Sequence, residues 1–266
     1  MKIGIWGCGV VGGSLAILME QKFKVNRYDK YNKWTSEAHK RACANSDVVF
    51  FCVPTPMINS TGRCFMGMIE EALKDYQRFK GKNVQNIPVI KSTVPIGSTR
   101  YLSNKFSMPI YFNPEFLVEK TALKDTLNQK RVILGGQKGT GIETLRRLYK
   151  KLLPKALQIL MSEDEAEAVK YFNNVALAGQ VAIFNEIHEV LTSCGVNYNK
   201  IRAIALMDKR IGRNALISMD GKKGFGGKCF PKDLRAFIHT GRKMGYISYV
   251  LEEIWRTNLE RRGSYE

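Results

Sequence analysis

The sequence predicts an α/β protein in which a doubly wound parallel sheet is followed by an all-helical part, and three observations carry the prediction. Short β-rich runs alternate with helix-like segments through the first half of the chain, the order expected of a sheet buried on both faces. A glycine-rich turn stands directly after the first of those runs. Past Pro154 the alternation stops, and Glu163 to Thr192 reads as one uninterrupted helix with apolar side chains at helical spacing and no proline.

Taken in order, strands are expected at Ile3 to Trp6, Lys24 to Asp29, Val48 to Val53, Ile87 to Ser92, Ile110 to Asn113 and Arg131 to Gly135. Helical patterns lie between them, for example Val11 to Lys22 and Met68 to Phe79. A helix of about 30 residues is long by globular standards and commonly marks a hinge between domains or a dimer seam. Tyr246 to Arg262 again reads helical before Gly263-Ser264-Tyr265-Glu266. The expected domains are therefore residues 1–160 and 161–266, without internal repeats or low-complexity segments.

Of the 266 residues, 44% are hydrophobic and 25% charged, which excludes a disordered tail and a small disulfide-stapled module. The 42 Lys and Arg against 24 Asp and Glu leave a formal net charge of +18, which favours anionic partners such as phosphates, nucleic acid or acidic lipid. A nucleic-acid binder is disfavoured, because the basic residues are dispersed and no recognition motif is present. No apolar stretch is long enough to span a bilayer, and Met1 to Gly7 lacks the apolar core of a signal peptide, so no membrane association is expected. The six cysteines (Cys8, Cys43, Cys52, Cys64, Cys194, Cys229) include no CxxC pair, and His39, His188 and His239 show no ligand spacing. A reducing cytoplasmic setting and no metal are the expectation.

Gly7-Cys8-Gly9-Val10-Val11-Gly12 is a GxGxxG between an expected strand and an expected helix, where backbone N–H groups and the helix dipole can receive a pyrophosphate. A glycine turn with no ligand is the alternative for the motif alone. Asp29 stands at the end of the second strand, about 20 residues on, where a carboxylate accepts hydrogen bonds from an adenosine ribose. The pair points to a Rossmann-like domain that binds NAD rather than NADP, since a 2′-phosphate would face the Asp29 charge. Arg27, Lys30 and Lys33 soften that preference.

Three further segments carry chemistry. Gly224-Phe225-Gly226-Gly227-Lys228-Cys229-Phe230-Pro231-Lys232-Asp233 sets one cysteine between a glycine loop and a Pro-Lys-Asp turn, and the flanking Lys228 and Lys232 would favour the thiolate a covalent nucleophile needs. A small buried residue in a glycine turn is the bland alternative. Asn113-Pro114-Glu115-Phe116-Leu117-Val118-Glu119 supplies two carboxylates at a strand's carboxyl end, where ligands bind in open α/β sheets, or else on a solvated loop. Lys170 and Asn174 share one face of the long helix, functional or simply wet.

In their order along the chain, Gly7 to Gly12, Val53-Pro54-Thr55-Pro56, Lys91-Ser92-Thr93-Val94-Pro95, Asn113 to Glu119, Glu167 to Asn174 and Gly224 to Asp233 resemble the UDP-glucose/GDP-mannose dehydrogenase family over essentially the whole sequence. The short Gly-Phe-Gly-Gly approach to the cysteine is more similar to the UDP-glucose branch than to the GDP-mannose branch, and Pro114-Glu115-Phe116 differs from the N-acetylmannosamine branch. The resemblance implies oxidation of a nucleotide-sugar C6 alcohol to the acid in two hydride transfers, using two NAD and one water. It implies that Cys229 traps the aldehyde as a thiohemiacetal and then a thioester, that Glu115 activates the hydrolytic water, and that Lys170 and Asn174 stabilise the oxyanion. Thr93 and Asp233 match positions that assist proton transfer through a water. Cofactor contacts are implied at Gly7, Gly9, Val10, Val11, Gly12, Asp29, Lys30, Val53, Thr55, Ser92, Thr93 and Glu119. Substrate contacts are implied at Phe116, Leu117, Glu119, Lys170, Asn174, Phe225, Gly226 and Phe230, and at Arg210, which family dimers insert into the neighbouring subunit's pocket.

The chain also departs from the family pattern. The family's third domain, which closes over the nucleotide, is expected to be absent, so that a companion chain supplies its contacts, or the sequence is a minimal enzyme or a fragment with weak nucleotide affinity. Lys120 occupies a common glycine position, Lys228 replaces a small residue, and Ile217 stands where a lysine is usual. A catalytically incomplete NAD-binding subunit or scaffold is thus the rival reading, and GDP-mannose the rival substrate.

Overall fold

The structure, a computed structural model, describes residues 1–81, 85–209, 211, 222–227 and 229–263. It divides into two compact units, the first comprising Met1–Thr55 and Phe65–Lys170, the second Pro56–Cys64 and Tyr171–Glu266. The division falls inside the long helix, ten residues beyond the expected boundary after residue 160, and assigns a short segment of the N-terminal half to the second unit.

In the first unit β1 (Lys2–Trp6), α1 (Val10–Glu20), β2 (Lys24–Tyr28), α2 (Glu37–Ala44), β3 (Val48–Phe51), α3 (Gly67–Phe79), β4 (Ile87–Ile90), α4 (Ser98–Lys105), β5 (Tyr111–Phe112), α5 (Ala122–Leu127), β6 (Arg131–Gly135), α6 (Thr140–Leu152) and β7 (Leu157–Met161) follow one another. The sheet order is β2-β1-β3-β4-β5-β6-β7. Strand alternation explains why the apolar runs are continuous. Ile3, Ile5, Val48, Phe50, Val132 and Leu134 face one core with Leu15 and Leu18 of α1 and Leu145, Leu148 and Tyr149 of α6. Trp6, Val49, Phe51, Ile90, Phe112 and Ile133 face the other, with Ile69, Leu73 and Tyr76 of α3 and Leu102 of α4. Truncating a central side chain such as Phe51 to Ala costs about 3–5 kcal/mol.

Two features differ from the sequence expectation. The sheet is not wholly parallel, since β5 and β6 pair antiparallel through Phe112 and Gly135. It also ends on an additional strand, β7, which pairs with β6 from Arg131↔Leu157 to Gly135↔Met161. Several strands stop short of their expected ends: Asp29, Val53, Ser92 and Asn113 already lie in turns, where backbone and side chain can point at a ligand rather than a neighbouring strand.

α7 runs from Glu163 to Ser193 and passes from the first unit into the second. The second unit adds α8 (Tyr198–Ala205), α9 (Phe230–Lys243) and α10 (Tyr249–Arg262), with an antiparallel bridge between Met57 and Cys64. Its core is smaller, built from Val175, Ala178, Val181 and Ala182 of α7, Phe225, and Leu234 and Ile238 of α9. Among the described residues no helix is long and apolar enough to cross a membrane.

Candidate active site

The first unit gathers its polar groups at the carboxyl ends of the strands. After β1 the chain turns through Gly7 at φ +93°. A Cβ on Gly12 would stand 1.9 Å from the Gly7 carbonyl oxygen, so α1 can follow the turn this closely only without one. A Cβ on Gly9 would meet nothing within 4 Å among the described residues, leaving open space at the N-terminus of α1 that fits a pyrophosphate. Val10, exposed, and Val11, half-buried, form the first turn of α1. The Asp29 carboxylate is fixed beside this turn, Oδ2 accepting from the Cys8 amide at 2.6 Å and Oδ1 from the Tyr31 amide at 2.8 Å. Trp6, Tyr28, Val53, Pro54, Met68 and Ala72 line a slot with Asp29 and Lys30, a shape and polarity that suit an adenosine. These residues fit a bound dinucleotide. Lys30 is exposed and lies 3.5 Å from Glu71.

The turns after β3 and β4 are laced together. The Ser92 hydroxyl donates to the Val53 carbonyl at 2.6 Å, and the Thr55 hydroxyl to the Thr93 carbonyl at 2.7 Å. The turn after β5 carries Glu115, whose Oε1 accepts from Lys170 Nζ at 2.9 Å and whose Oε2 accepts from the Leu117 amide at 2.7 Å. Both side chains are nearly inaccessible, at 4% exposure for Lys170 and 11% for Glu115. Burial pushes the Glu115 carboxyl up, but the Lys170 ammonium, the Leu117 amide and Lys91 outweigh it and hold the carboxyl below its ordinary value. Phe116 packs under two cations, its ring centre 4.8 Å from the Arg131 guanidinium and 5.5 Å from Lys170 Nζ. Leu117 is half-buried, while Glu119 and Lys120 are exposed on a short 3₁₀ turn.

Glu167, wholly buried one turn before Lys170 on α7, accepts from the Gly97 amide at 2.6 Å and from the Thr99 amide and hydroxyl at 2.8 and 2.6 Å. It caps α4 and ties the chain after Thr93 to α7. Burial pushes its carboxyl up to about 7 against the pull of those donors.

In the second unit Cys229 is exposed at the N-cap of α9, and Pro231 stands in the helix's first turn, where its missing N–H is harmless. Asp233, 1% exposed, accepts from Asn174 Nδ2 and from Lys232 Nζ, both at 2.5 Å, and its amide donates to the Cys229 carbonyl at 2.8 Å. Burial pulls the Lys232 ammonium down, but Asp233 first, and the Cys64 and Cys229 thiols after it, raise it. The glycine loop before Cys229 is held by side-chain amides. Asn185 Oδ1 accepts from the Gly224 amide at 3.1 Å, and Asn258 grips Phe225 by both its amide (2.8 Å) and its carbonyl (3.0 Å). Phe225, expected to line the sugar cleft, is instead wholly buried in the second unit's core: between glycines, it anchors the loop. Gly226 and Phe230 are half-buried. Arg210, Ile217 and Lys228 lie outside the described residues.

The structure thus brings together Glu115 with Lys170, Cys8 with Asp29, and the Val53, Thr55, Ser92 and Thr93 turns in one unit, and Asn174, Lys232, Asp233 and Cys229 in the other. Lys170 and Asn174 stand one turn apart on α7. Glu167, Asn185 and Asn258 had no assigned role in the sequence. Their partners lie 39 to 70 residues away for Asn185 and Glu167 and 33 for Asn258, and a lone buried polar residue in a helical pattern is the only signal each leaves.

Comparison with known proteins matches the chain to two consecutive domains of one family. Residues 23–153 match the NAD binding domain of the UDP-glucose/GDP-mannose dehydrogenase family, and residues 164–260 its central domain. The UDP-glucose 6-dehydrogenase TuaD of Bacillus subtilis is 30% identical over 227 residues, covering 82% of this chain and 47% of TuaD. The UDP-glucose 6-dehydrogenase of Campylobacter jejuni is 36% identical over 222 residues, covering 82% of this chain and 54% of that protein. The chain therefore spans about half the length of these curated relatives. Among solved structures, a UDP-glucose dehydrogenase from Pyrobaculum islandicum superposes with a TM-score of 0.85 at 28% identity, covering 97% of this chain and 68% of that one.

Proposed function

We propose that this chain, which belongs to the UDP-glucose/GDP-mannose dehydrogenase family, oxidises the C6 alcohol of a nucleotide sugar to the carboxylate, with UDP-glucose and UDP-glucuronate as substrate and product. The observation that carries the reading is the buried Glu115–Lys170 pair: a carboxylate kept ionised inside the protein beside an ammonium is suited to take a proton from water next to a developing oxyanion. Gly7, Gly9, Gly12 and Asp29 would hold NAD, with Lys30, Val53, Thr55, Ser92, Thr93 and Glu119 around it. Its chemistry there is to accept a hydride from the sugar carbon once per oxidation.

Cys229 adds through sulfur to the aldehyde carbon, and the thiol proton ends on the aldehyde oxygen, giving a thiohemiacetal that cannot diffuse away. Its oxidation leaves a thioester. Glu115 then takes a proton from water, the water oxygen bonds to the carbonyl carbon, and the carbon–sulfur bond breaks to return the thiol and release the acid. Lys170 and Asn174 donate to the oxygen that carries negative charge in each addition. Asp233, with Thr93, relays protons through a water. Support for the nucleophile comes from the position of Cys229 at a helix N-terminus, which stabilises negative charge, and from the Lys232 ammonium that faces it.

A homodimer belongs to the same reading, with Arg210 crossing to the other subunit's pocket. Ile183 and Ile187 of α7 and Ile201 and Ile204 of α8 are exposed, apolar area that a second copy would cover. Phe116, Leu117, Gly226 and Phe230 would contact the sugar nucleotide, and the site of action would be the cytoplasm.

The test is NADH formation against a panel of nucleotide sugars, including UDP-glucose and GDP-mannose. Two NADH per UDP-glucose and UDP-glucuronate by mass spectrometry are expected. NAD binding without turnover on any sugar, with and without candidate partner chains, would favour the rival reading, an NAD-binding subunit or scaffold.

A further inference from the structure

The first unit buries a lysine for which the proposed reaction has no task. Lys91, at the end of β4, is 4% exposed. Its Nζ donates to Asn113 Oδ1 at 2.8 Å and to the Asn113 carbonyl at 3.4 Å, and among the described residues no carboxylate forms an ion pair with it. Asn113 is bound at every polar group: its amide donates to the Ile90 carbonyl at 2.9 Å, its Nδ2 to the Ile133 carbonyl at 2.8 Å, and its Oδ1 also accepts from the Tyr149 hydroxyl at 2.5 Å. Glu115 follows two residues later. An ammonium buried against neutral partners costs several kcal/mol, so the fold maintains it against a large penalty.

We propose that Lys91 is a positioning residue for Glu115: it clamps Asn113, which sets the turn from which Glu115 projects, and its charge keeps that carboxylate ionised. The inference rests on Glu115 as the base of the proposed function. The groups facing Lys91 are Cys52 after β3, Glu115 after β5 and Lys170 on α7, while Tyr149 on α6 shares its partner Asn113. Burial pushes the Cys52 thiol up to about 12, so it is neutral at ordinary pH. Two ammonium groups therefore face one carboxylate, and the excess positive charge suits a site where an oxyanion develops. Burial pulls Lys91 down to about 8 and the Lys170 charge adds to that, while Glu115 pulls it back up. Above that pH the clamp loses its charge and Glu115 loses part of its support.

The experiment reads both ionisations by NMR, in protein labelled with ¹³C-lysine or ¹³C-glutamate. In Lys91→Met the Glu115 midpoint is expected to rise, and in Glu115→Gln the Lys91 midpoint is expected to fall, each by about half a pH unit or more, because coupling between two sites is reciprocal. Should Lys91→Met fail to fold, the Glu115→Gln titration decides alone. Midpoints that stay where they are in the folded variants overturn the inference. In the NADH assay, Lys91→Met should lose about twofold more kcat at pH 6 than at pH 8, where half of the parent's Lys91 is already neutral, and Lys91→Arg, charged at both, should hold kcat at its pH 6 level. A purely structural lysine would lower kcat equally at both. If the midpoints move but no nucleotide sugar is oxidised by the parent protein, the proposed function fails while the electrostatic link between Lys91 and Glu115 stands.

Discussion

The two units hold their reactive groups by different means. In the first, Glu115, Thr93, Ser92 and Asp29 stand one to three residues beyond strands of a doubly covered sheet, and their partners are largely backbone groups and buried ammonium ions. In the second, Cys229 caps a helix, and the loop before it is held by Asn185 and Asn258 over a smaller core. Sheet ends are rigid because every neighbouring strand fixes them, whereas a glycine loop is only as fixed as the amides that grip it. In the proposed reaction the groups that must stay charged sit in the first setting, and the thiol that would attack carbon sits in the second.

The sharpest separation of the two is Cys229→Ala. Acid formation from the nucleotide sugar should fall by about a thousandfold or more, while NAD affinity by titration and the melting temperature stay near those of the parent, because the side chain is exposed and the cradle lies in the first unit. Gly12→Ala tests the reverse. The added Cβ has 1.9 Å to the Gly7 oxygen, so the turn must shift, and NAD affinity measured by calorimetry should drop about a hundredfold while the helices of the second unit keep their hydrogen-exchange protection.

A smaller effect probes the clamp. Asn258→Ala strips two hydrogen bonds from the buried Phe225 backbone and should cost about 2–3 kcal/mol in urea denaturation, with turnover falling and NAD affinity preserved. If stability is unchanged, the loop is held by something other than that amide.

The smallest effect is a pH slope inside the first unit. Glu115 is held below its ordinary value, so its contribution to stability is present above pH 4.5 and lost as pH falls through the lower folded value. Glu167 is raised to about 7, so its contribution is complete below pH 4.5 and lost as pH rises through 7. Denaturation from pH 3 to 8 should show Glu115→Gln converging on the parent at the acid end. Glu167→Gln should converge on it toward neutrality by about 1–2 kcal/mol. Parallel curves would remove both assignments.

Much of this arrangement was legible beforehand. Val48 to Phe51 is an unbroken apolar run because alternate side chains enter two different cores, and the Gly7 to Gly12 spacing announces the turn that Gly12 makes possible. β7 was missed because Leu157–Met161 follows a proline at the sheet's edge, with Leu157 exposed, and lacks the doubly buried pattern of the central strands. The reversed direction of β6 was not legible at all, since Arg131–Gly135 has the composition of a buried strand whichever way it runs.

The sequence by itself determined the alternating α/β order, the phosphate cradle after β1, the long helix and the chemical types available at 115, 170, 229 and 233. Those follow from properties a residue carries wherever it stands: a missing Cβ, a period of apolar side chains, a thiol, a carboxyl. Only the tertiary structure decided that Lys170 meets Glu115 across 55 residues, that Lys91 is buried on Asn113, that Glu167 caps α4 and that Phe225 is core. Charge state and role depend on what is desolvated next to what, and that is set by contacts between segments far apart in the chain.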